Sequence, residues 1–348
     1  MDLHHQDPDS DLWLPVPPDP TQIDPHTVHT HYFGFSVAAA HLGVHLYIRY
    51  QPAFGLSQGG VCIFRGTDNV EILDPDYLNW QLTMRWPHVD GNKIVTPYGL
   101  EVEFVELGKL VRLRYDSSEV SFDVMQTAVT PLVARAHVMP SEAVDTDPAN
   151  LPGGSEQFMH CTGFLALRGE RHEVDCLAPR DRSWNQVRSE RRGAVDMPPI
   201  AWTPICFGPD LAFNQMGFEA PDTNPPYRDV YPVDDGRPSH VYGWVHTEGQ
   251  TASITKVKRE VHQRNPYTHV ASHQSIQATD ALGRSFEFRG VAVAATTLPA
   301  WPNLAFHDSL YRWETTDGRI THSTCQEAWY DKYQHHMNRV QPRPLASV

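Results

Sequence analysis

Residues 163–184 read GFLALRGERHEVDCLAPRDRSW, which is a pattern of two short alternating segments joined by a turn. Gly163–Arg168 and His172–Leu177 are the strand candidates, and the dipeptide at 169–170 supplies the turn. The second segment leads into residues 180–184 (RDRSW), where two arginines flank one carboxylate and a tryptophan follows. Charges at the end of a strand are costly to bury unless they are paired. The stretch therefore predicts a β-hairpin that carries a polar cluster suited to chemistry.

The same period of two recurs along the chain. In Gly43–Gln51, three polar or aromatic residues alternate with apolar ones, which is typical of a strand. Asp317-Gly318 stands between two alternating segments and indicates another hairpin. The 29 prolines and 22 glycines do not favour long helices, and only Gln326–Val340 has a helical pattern. We therefore predict an all-β protein with antiparallel hairpin connections and two barrel or sandwich units in tandem.

The length of 348 residues suggests about two domains, at roughly 150 residues each. Residues 1–27 are rich in Asp and Pro and are predicted to form an extended N-terminal arm. Prolines and glycines among acidic residues predict a linker at 146–156, so the two β domains are expected at 28–145 and 157–340.

Composition excludes several classes of protein. The net charge of −14 disfavours nucleic acids and anionic membrane surfaces as partners. No apolar segment approaches the roughly 18 residues that a membrane span requires, and the N-terminus lacks the apolar core of a signal peptide. The five scattered cysteines indicate reduced thiols. A cytoplasmic location is expected, and a homodimer is one of the oligomeric states left open.

The glycines and the polar cluster of the opening stretch resemble a known pattern. Gly163, Gly169, Val174 and the segment Arg180-Asp-Arg-Ser-Trp184 are similar to the G-x5-G-x4-V…R-D-H-S-W-G pattern of AttH-like proteins. These are tandem lipocalin-like proteins, with carotenoid 1,2-hydratase and kievitone hydratase as distant relatives. The resemblance covers roughly residues 30–335, and only its Arg-Asp-x-Ser-Trp core is specific.

The end of the chain also fits the resemblance, through hairpins at 283–284 and 317–319 and then Glu327 followed by aromatic residues. Two positions depart from the family pattern, since Arg182 replaces a usual histidine and Asn185 replaces a usual glycine. The resemblance implies two lipocalin-like domains and a cavity for an apolar small molecule, and the pattern of the tail adds a short C-terminal helix. It also implies that Asp181 corresponds to an aspartate that protonates a carbon–carbon double bond in the hydratases.

We take Asp181 as the first candidate catalytic residue. If the strand continues through the cluster, the flanking arginines point to the opposite face, and desolvation raises the pKa of an inward carboxyl group, which suits a general acid. The alternative is a structural ion pair. His160 and His246 are candidates for the base, although each could equally be a surface or hydrogen-bonded histidine.

The candidate substrate-binding residues surround this carboxylate. Arg180 and Arg182 either bind a carboxylate or enolate of the ligand or brace Asp181. Trp184 either lines the pocket or fills the core. Tyr242 and Trp244 share one strand face, which makes a pocket wall or part of a core.

These residues predict an enzyme that needs no cofactor: a lyase, hydratase or isomerase that acts by proton transfer on an apolar terpenoid, steroid or aromatic molecule. The alternative is a protein that binds such a molecule without altering it. A weaker alternative is a metalloenzyme in which His29, His31 and His45 hold the ion, although no metal is assigned.

Overall fold

The computed structural model describes residues 7–12, 23–134, 153–194, 199–219 and 240–340. Strands dominate these residues, and the longest helix among them is α1, Asp331–Val340. The predicted fold class, all-β with two lipocalin-like units and a short C-terminal helix, is confirmed. In the described part of the chain, no helix has the length and hydropathy needed to cross a bilayer.

Contacts divide the chain into two compact units, which we call the first and the second unit. The first unit contains Asp2–Ile63 and Asp76–Ser189, and the second contains Phe64–Pro75 and Glu190–Val348.

The first unit is an antiparallel sheet that curls into an open half-barrel. Its strands are β1 Thr27–Val37, β2 Leu42–Gln51, β3 Leu56–Phe64, β4 Tyr77–Arg85, β5 His88–Asp90, β6 Lys93–Val95, β7 Glu101–Glu106, β8 Leu110–Asp116, β9 Val120–Ala128, β10 Val133–Ala134, β11 Gly153–Leu167 and β12 Glu170–Val187. They lie in the order β4-β3-β2-β1-β12-β11-β9-β8-β7-β6-β5, and β10 pairs with β11.

Strands of the first unit differ in how they are buried. β1 is buried along its whole length, whereas β8 alternates buried and more exposed residues. The inner face of β1 carries Phe33, Phe35 and Val37, which join one hydrophobic core with residues of the other strands. The period of two places these three residues on one face of β1.

The second unit is an antiparallel sheet that closes on itself. Its strands are β13 Ile200–Trp202, β14 Ile205–Cys206, β15 Ala212–Phe218, β16 His240–Thr247, β17 Gln250–Arg264, β18 Ala271–Asp280, β19 Ser285–Trp301, β20 Leu304–Thr315 and β21 Ile320–Tyr330. β13 pairs with both β21 and β15, which closes a ring of eight strands within the described residues. Large side chains, including Phe213, Phe288, Tyr311 and Trp313, form its core.

The opening hairpin is longer than its sequence pattern indicated. β11 and β12 pair continuously from Gly153 with Trp184 to Leu167 with Glu170. Arg168 and Gly169 have φ angles of 49° and 89°, as a tight two-residue turn requires, so the turn lies one residue earlier than predicted. Residues 180–184 are consequently inside β12 and not at its end.

The strand pairing of this hairpin places the boundary between the two units later than the sequence predicted. β11 pairs with β9, and β12 pairs with β1, so both strands complete the sheet of the first unit. The observed division therefore follows Ser189, whereas the sequence suggested a linker at 146–156 and a second domain at 157–340. Prolines and glycines mark a loop, but strand pairing decides which unit the next strand joins. The predicted helix also begins later, at Asp331, because β21 continues to Tyr330.

Candidate functional site

The pleat of β12 separates the three charged residues of the opening cluster. Arg182 pairs with His31 and Arg180 with Phe33, so these side chains share the face that carries the hydrophobic core. Asp181 pairs with Tyr32 on β1, and its side chain leaves the strand on the opposite face. Both arginines are 4% exposed. The inward positions thus belong to the arginines.

Arg180 holds a buried carboxylate through a two-pronged ion pair. Its Nη1 and Nη2 atoms each donate a hydrogen bond of 2.9 Å to an oxygen of Asp11, which is fully buried. The Gly108 backbone N–H donates to the same carboxylate at 2.8 Å. Arg180 also donates to Gln157 Oε1 at 2.9 and 2.7 Å, and the Gln157 amide donates to the carbonyl oxygens of Gly108 and Thr130. The guanidinium is therefore fixed on two sides.

Arg182 lies beside this ion pair and has a different environment. It donates a hydrogen bond to the carbonyl oxygen of Ser10, and its guanidinium carbon is 5.1 Å from the centroid of the Trp184 ring. Burial lowers the pKa of Arg182 to about 10. The Trp184 ring covers Gly153, where a Cβ atom would lie 2.6 Å from the indole. The ring therefore stacks between a glycine backbone and a cation.

His31 is a buried histidine next to the two arginines. It is 3% exposed, and neither ring nitrogen has a hydrogen-bond partner among the described residues. Its ring stacks on Phe33 with centroids 6.0 Å apart and meets the Tyr50 ring edge-on at 5.6 Å. Burial, and then the charges of Arg182 and Arg180, hold the pKa of His31 well below its usual range. The imidazole is neutral at physiological pH and can accept a proton.

A small cavity joins these groups. Its free volume is about 10 Å³, which is room for about one water molecule. Its walls are His31, Phe33, Leu132, Ser155, Arg180, Asp181 and Arg182. The Ser155 hydroxyl and, nearby on β2, the Tyr50 hydroxyl also have no hydrogen-bond partner among the described residues. Burial raises the pKa of Tyr50, so its hydroxyl keeps its proton. The cavity therefore offers a proton acceptor, the Ser155 hydroxyl and two cations, and Tyr50 contacts the His31 ring beside it.

His160, a predicted catalytic residue, lies on the surface of the first unit. It is exposed, and its Nε2 atom is 2.7 Å from Asp175 Oδ1. It pairs with Leu177 on β12, four residues before Asp181. The structure therefore does not bring His160 to the cavity.

Three other predicted site residues, His246, Tyr242 and Trp244, lie on β16 of the second unit, whereas Asp181 lies in the first unit. His246 Nδ1 is 2.8 Å from the Thr251 hydroxyl oxygen. Tyr242 and Trp244 are buried, and alternation puts them on the strand face opposite Val245, a residue of the barrel core. They share a face, as predicted, but they do not line the barrel interior.

The three-histidine metal hypothesis is wrong for the set that the sequence suggested. His29 and His31 share one face of β1, but His45 pairs with Gly34 and contacts the ring of Tyr32 on the other face, with centroids 5.0 Å apart. The Asn185 backbone N–H donates to His29 Nδ1 at 2.9 Å. Among the described residues, no group of three or more histidine, cysteine, aspartate or glutamate side chains could hold a metal ion.

A second buried charge cluster lies in the second unit. Glu327 accepts hydrogen bonds from Arg259 at 2.6 Å and from Arg264 at 3.1 Å, and Arg264 also pairs with Glu219 at 2.6 Å. Burial acts to raise the pKa of Glu327, but the Arg264 and Arg259 charges hold it well below its usual range. Because both oxygens of Glu327 are held by guanidinium groups, this cluster is suited to stability and not to proton transfer.

The fold and the site together define a tandem lipocalin-like β protein, with one closed eight-stranded barrel and a buried polar cavity in the other unit. The chain belongs to the family described as domain of unknown function DUF7064, whose model matches residues 16–330. No curated protein matches the chain.

Two solved structures are similar to the chain. One is described as an AttH protein from Nitrosomonas europaea, with 11% identity, 88% of this chain and 93% of that chain covered, and a TM-score of 0.53. The other is kievitone hydratase from Nectria haematococca, with 11% identity, 88% and 90% coverage, and a TM-score of 0.48. The first confirms the AttH-like resemblance at the level of the fold.

Three residues of the site were missed from the sequence: Asp11, Ser155 and Gln157. Asp11 stands 169 positions before its partner Arg180 and 97 before Gly108. No local spacing signals such a contact, and the arm contains several other aspartates. His31 was noted only as a metal ligand, because its unpartnered nitrogens are visible only in three dimensions.

Proposed function

We propose that the cavity beside His31 is a proton-transfer site and that the protein is a lyase of the hydratase type, or an isomerase, acting on an apolar small molecule. The observation that carries this proposal is the neutral, buried imidazole without hydrogen-bond partners among the described residues. A general base must be deprotonated before the reaction and must be reachable by the substrate. Buried polar atoms without partners are uncommon in stable proteins and often mark a functional position.

The surrounding charges make this histidine responsive to a ligand. Burial, and then the charges of Arg182 and Arg180, lower the pKa of His31, which makes it a weak base before a ligand binds. A negatively charged ligand, or an enolate formed during the reaction, offsets these cations and strengthens the base. Arg182 then stabilises the developing charge, and the Tyr50 hydroxyl is a suitable donor to the leaving or returning oxygen.

Asp181 lies differently from His31. It pairs across the strands with Glu156 and leaves β12 on the face opposite His31. The general-acid role that the resemblance implied for Asp181 therefore does not belong to the same step as a proton transfer at His31. We assign the base role to His31, and Arg182 and Trp184 bind the ligand.

Deuterium incorporation tests the proposal across a range of candidate substrates. The protein is incubated in D₂O with α,β-unsaturated and β-hydroxy acids of the aromatic and terpenoid classes, and products are measured by mass spectrometry. We expect exchange or hydration with the wild type, and a loss of at least about 100-fold in His31→Gln. The variant His88→Gln, at an exposed position of the same unit, is the matched control. Equal exchange in His31→Gln and the wild type would exclude the proposed base.

A ligand-binding protein without catalysis is the second candidate function. The Arg180 guanidinium favours it, because it already holds a carboxylate through two parallel hydrogen bonds without any chemical step. Native mass spectrometry that finds a stoichiometric bound molecule, with no deuterium exchange into it, identifies this alternative.

A further inference from the structure

Arg180 is built to receive a carboxylate. Its two terminal nitrogens bind two oxygens in parallel, and the Gly108 N–H adds a third donor. Such two-pronged pairs combine geometric specificity with charge-assisted hydrogen bonds. Because Gln157 is itself anchored by two backbone carbonyls, the guanidinium stays in position whichever carboxylate it holds.

The carboxylate that fills this site comes from a short segment outside the sheet. Residues 7–12 contain a single 3-10 turn, Pro8–Leu12. Asp7, Pro8 and Asp9 are exposed, and Asp11 is fully buried. The segment therefore lies on the surface and inserts one acidic side chain into the first unit.

The cavity beside this ion pair is too small for a ligand while the segment is in place. About one water molecule fits its 10 Å³. The Asp11 carboxylate leaves the His31 nitrogens and the Ser155 hydroxyl without partners among the described residues, although both side chains are almost fully buried. These are buried polar groups in the wall of the cavity beside Arg180.

We propose that Asp11 is an internal stand-in for the carboxylate of an apolar carboxylic acid, and that the ligand binds by displacing residues 7–12 from Arg180. This inference rests on the proposed function for the location of the site, and it adds the substrate class and the displacement. The exchange replaces one carboxylate by another, so the buried guanidinium is never left without a counter-charge, which would be strongly destabilising.

Binding of a matched pair of probes tests the displacement. The carboxylate 3-phenylpropanoate and its neutral amide, 3-phenylpropanamide, are titrated by calorimetry into the wild type and Asp11→Gly. Removal of the internal competitor should tighten carboxylate binding by at least about tenfold, because the apparent affinity is reduced by the fraction of closed protein. The amide should show no such gain. Asp9→Gly, at an exposed position of the same segment, should behave like the wild type.

The melting temperature provides an independent test of the displacement. Asp11→Gly should unfold at a lower temperature than the wild type, and 3-phenylpropanoate should restore the loss in a saturable way, whereas the amide should not. If Asp11→Gly does not fold, Asp11→Asn keeps the shape of the side chain and removes its charge, and the same titrations apply.

Two results would overturn the inference. Equal carboxylate affinity in the wild type and the Asp11 variants shows that the segment does not compete, and absence of carboxylate binding to all of them shows that the ion pair is only structural. Neither outcome depends on turnover. A gain in binding without deuterium exchange instead rejects the proposed reaction and leaves the displacement standing.

Discussion

His29 and His31 are buried on one face of β1, and their protonation affects stability. Burial lowers the pKa of His29 to about 3, and burial lowers that of His31 well below 6.5. In the unfolded chain both titrate near 6.5. Their folded pKa values are depressed, so below pH 6.5 the unfolded state binds more protons, and stability falls as the pH falls.

We therefore expect the free energy of unfolding to decrease between pH 6.5 and 4.5 by up to about 1.4 kcal/mol per pH unit for each of the two histidines. Urea unfolding at several pH values measures this slope. His31→Gln should reduce this slope by the contribution of one titrating histidine, and His88→Gln should leave the slope unchanged. A wild-type stability that is constant over this range would show that the histidines are not buried in neutral form.

Glu327 permits a prediction for the second unit. Glu327→Gln removes the charge that Arg259 and Arg264 share and should cost about 3–5 kcal/mol, because a buried cation loses its partner. Glu287 pairs with Arg289 at the surface, and Glu287→Gln should cost under about 1 kcal/mol. Chemical denaturation of both variants measures the difference, and equal costs would show that the cluster is not a stabilising element.

Residue types were easier to predict than their partners. The cluster Arg180-Asp-Arg-Ser-Trp184 was recognised from its letters, and its alternation correctly separated Asp181 from the arginines. The face that points inward was not evident, because the period of two allows either choice. Which face is buried depends on how the whole sheet curls over its core.

At the scale of elements, the opening hairpin depends on glycine at two positions for different reasons. Gly163 has φ 150°, and a Cβ atom there would lie 2.1 Å from the carbonyl oxygen of Asp123 on β9. Gly169 in the turn has φ 89° but open space around it. A side chain at Gly163 therefore meets both backbone strain and a clash with the paired strand.

We expect Gly163→Ala to destabilise the protein by more than about 2 kcal/mol, and Gly169→Ala by about 1 kcal/mol. Denaturant unfolding of both variants provides the comparison. If the two costs are equal, the close approach between β11 and β9 does not limit the side chain at position 163.

Strands and turns were predictable because their signals are local. Alternation and the Asp-Gly dipeptide indicated the hairpins, and Asp317-Gly318 does join β20 to β21. The lengths of β11 and β12 were underestimated, since Pro179 and the charged cluster interrupt the pattern without ending the strand. Pairing with β1 along that segment keeps the strand extended.

At the scale of the molecule, each unit has its own sheet and its own hydrophobic core. Local stability is therefore expected to respond separately in the two units. Hydrogen exchange followed by mass spectrometry should show faster exchange in β17–β21 for Glu327→Gln and in β9–β12 for Gly163→Ala. Faster exchange throughout the chain in either variant would show that the units open as one.

The sequence by itself determined the all-β class, the hairpins and the polar cluster, because these follow from alternation and turn residues within a few positions. Only the tertiary structure decided that β11 and β12 complete the first sheet, that Asp11 fills the Arg180 site, and that His31 is left without partners among the described residues. These outcomes join residues up to 169 positions apart. Contacts of that kind depend on how strands pair and sheets curl, and no short stretch of sequence encodes either.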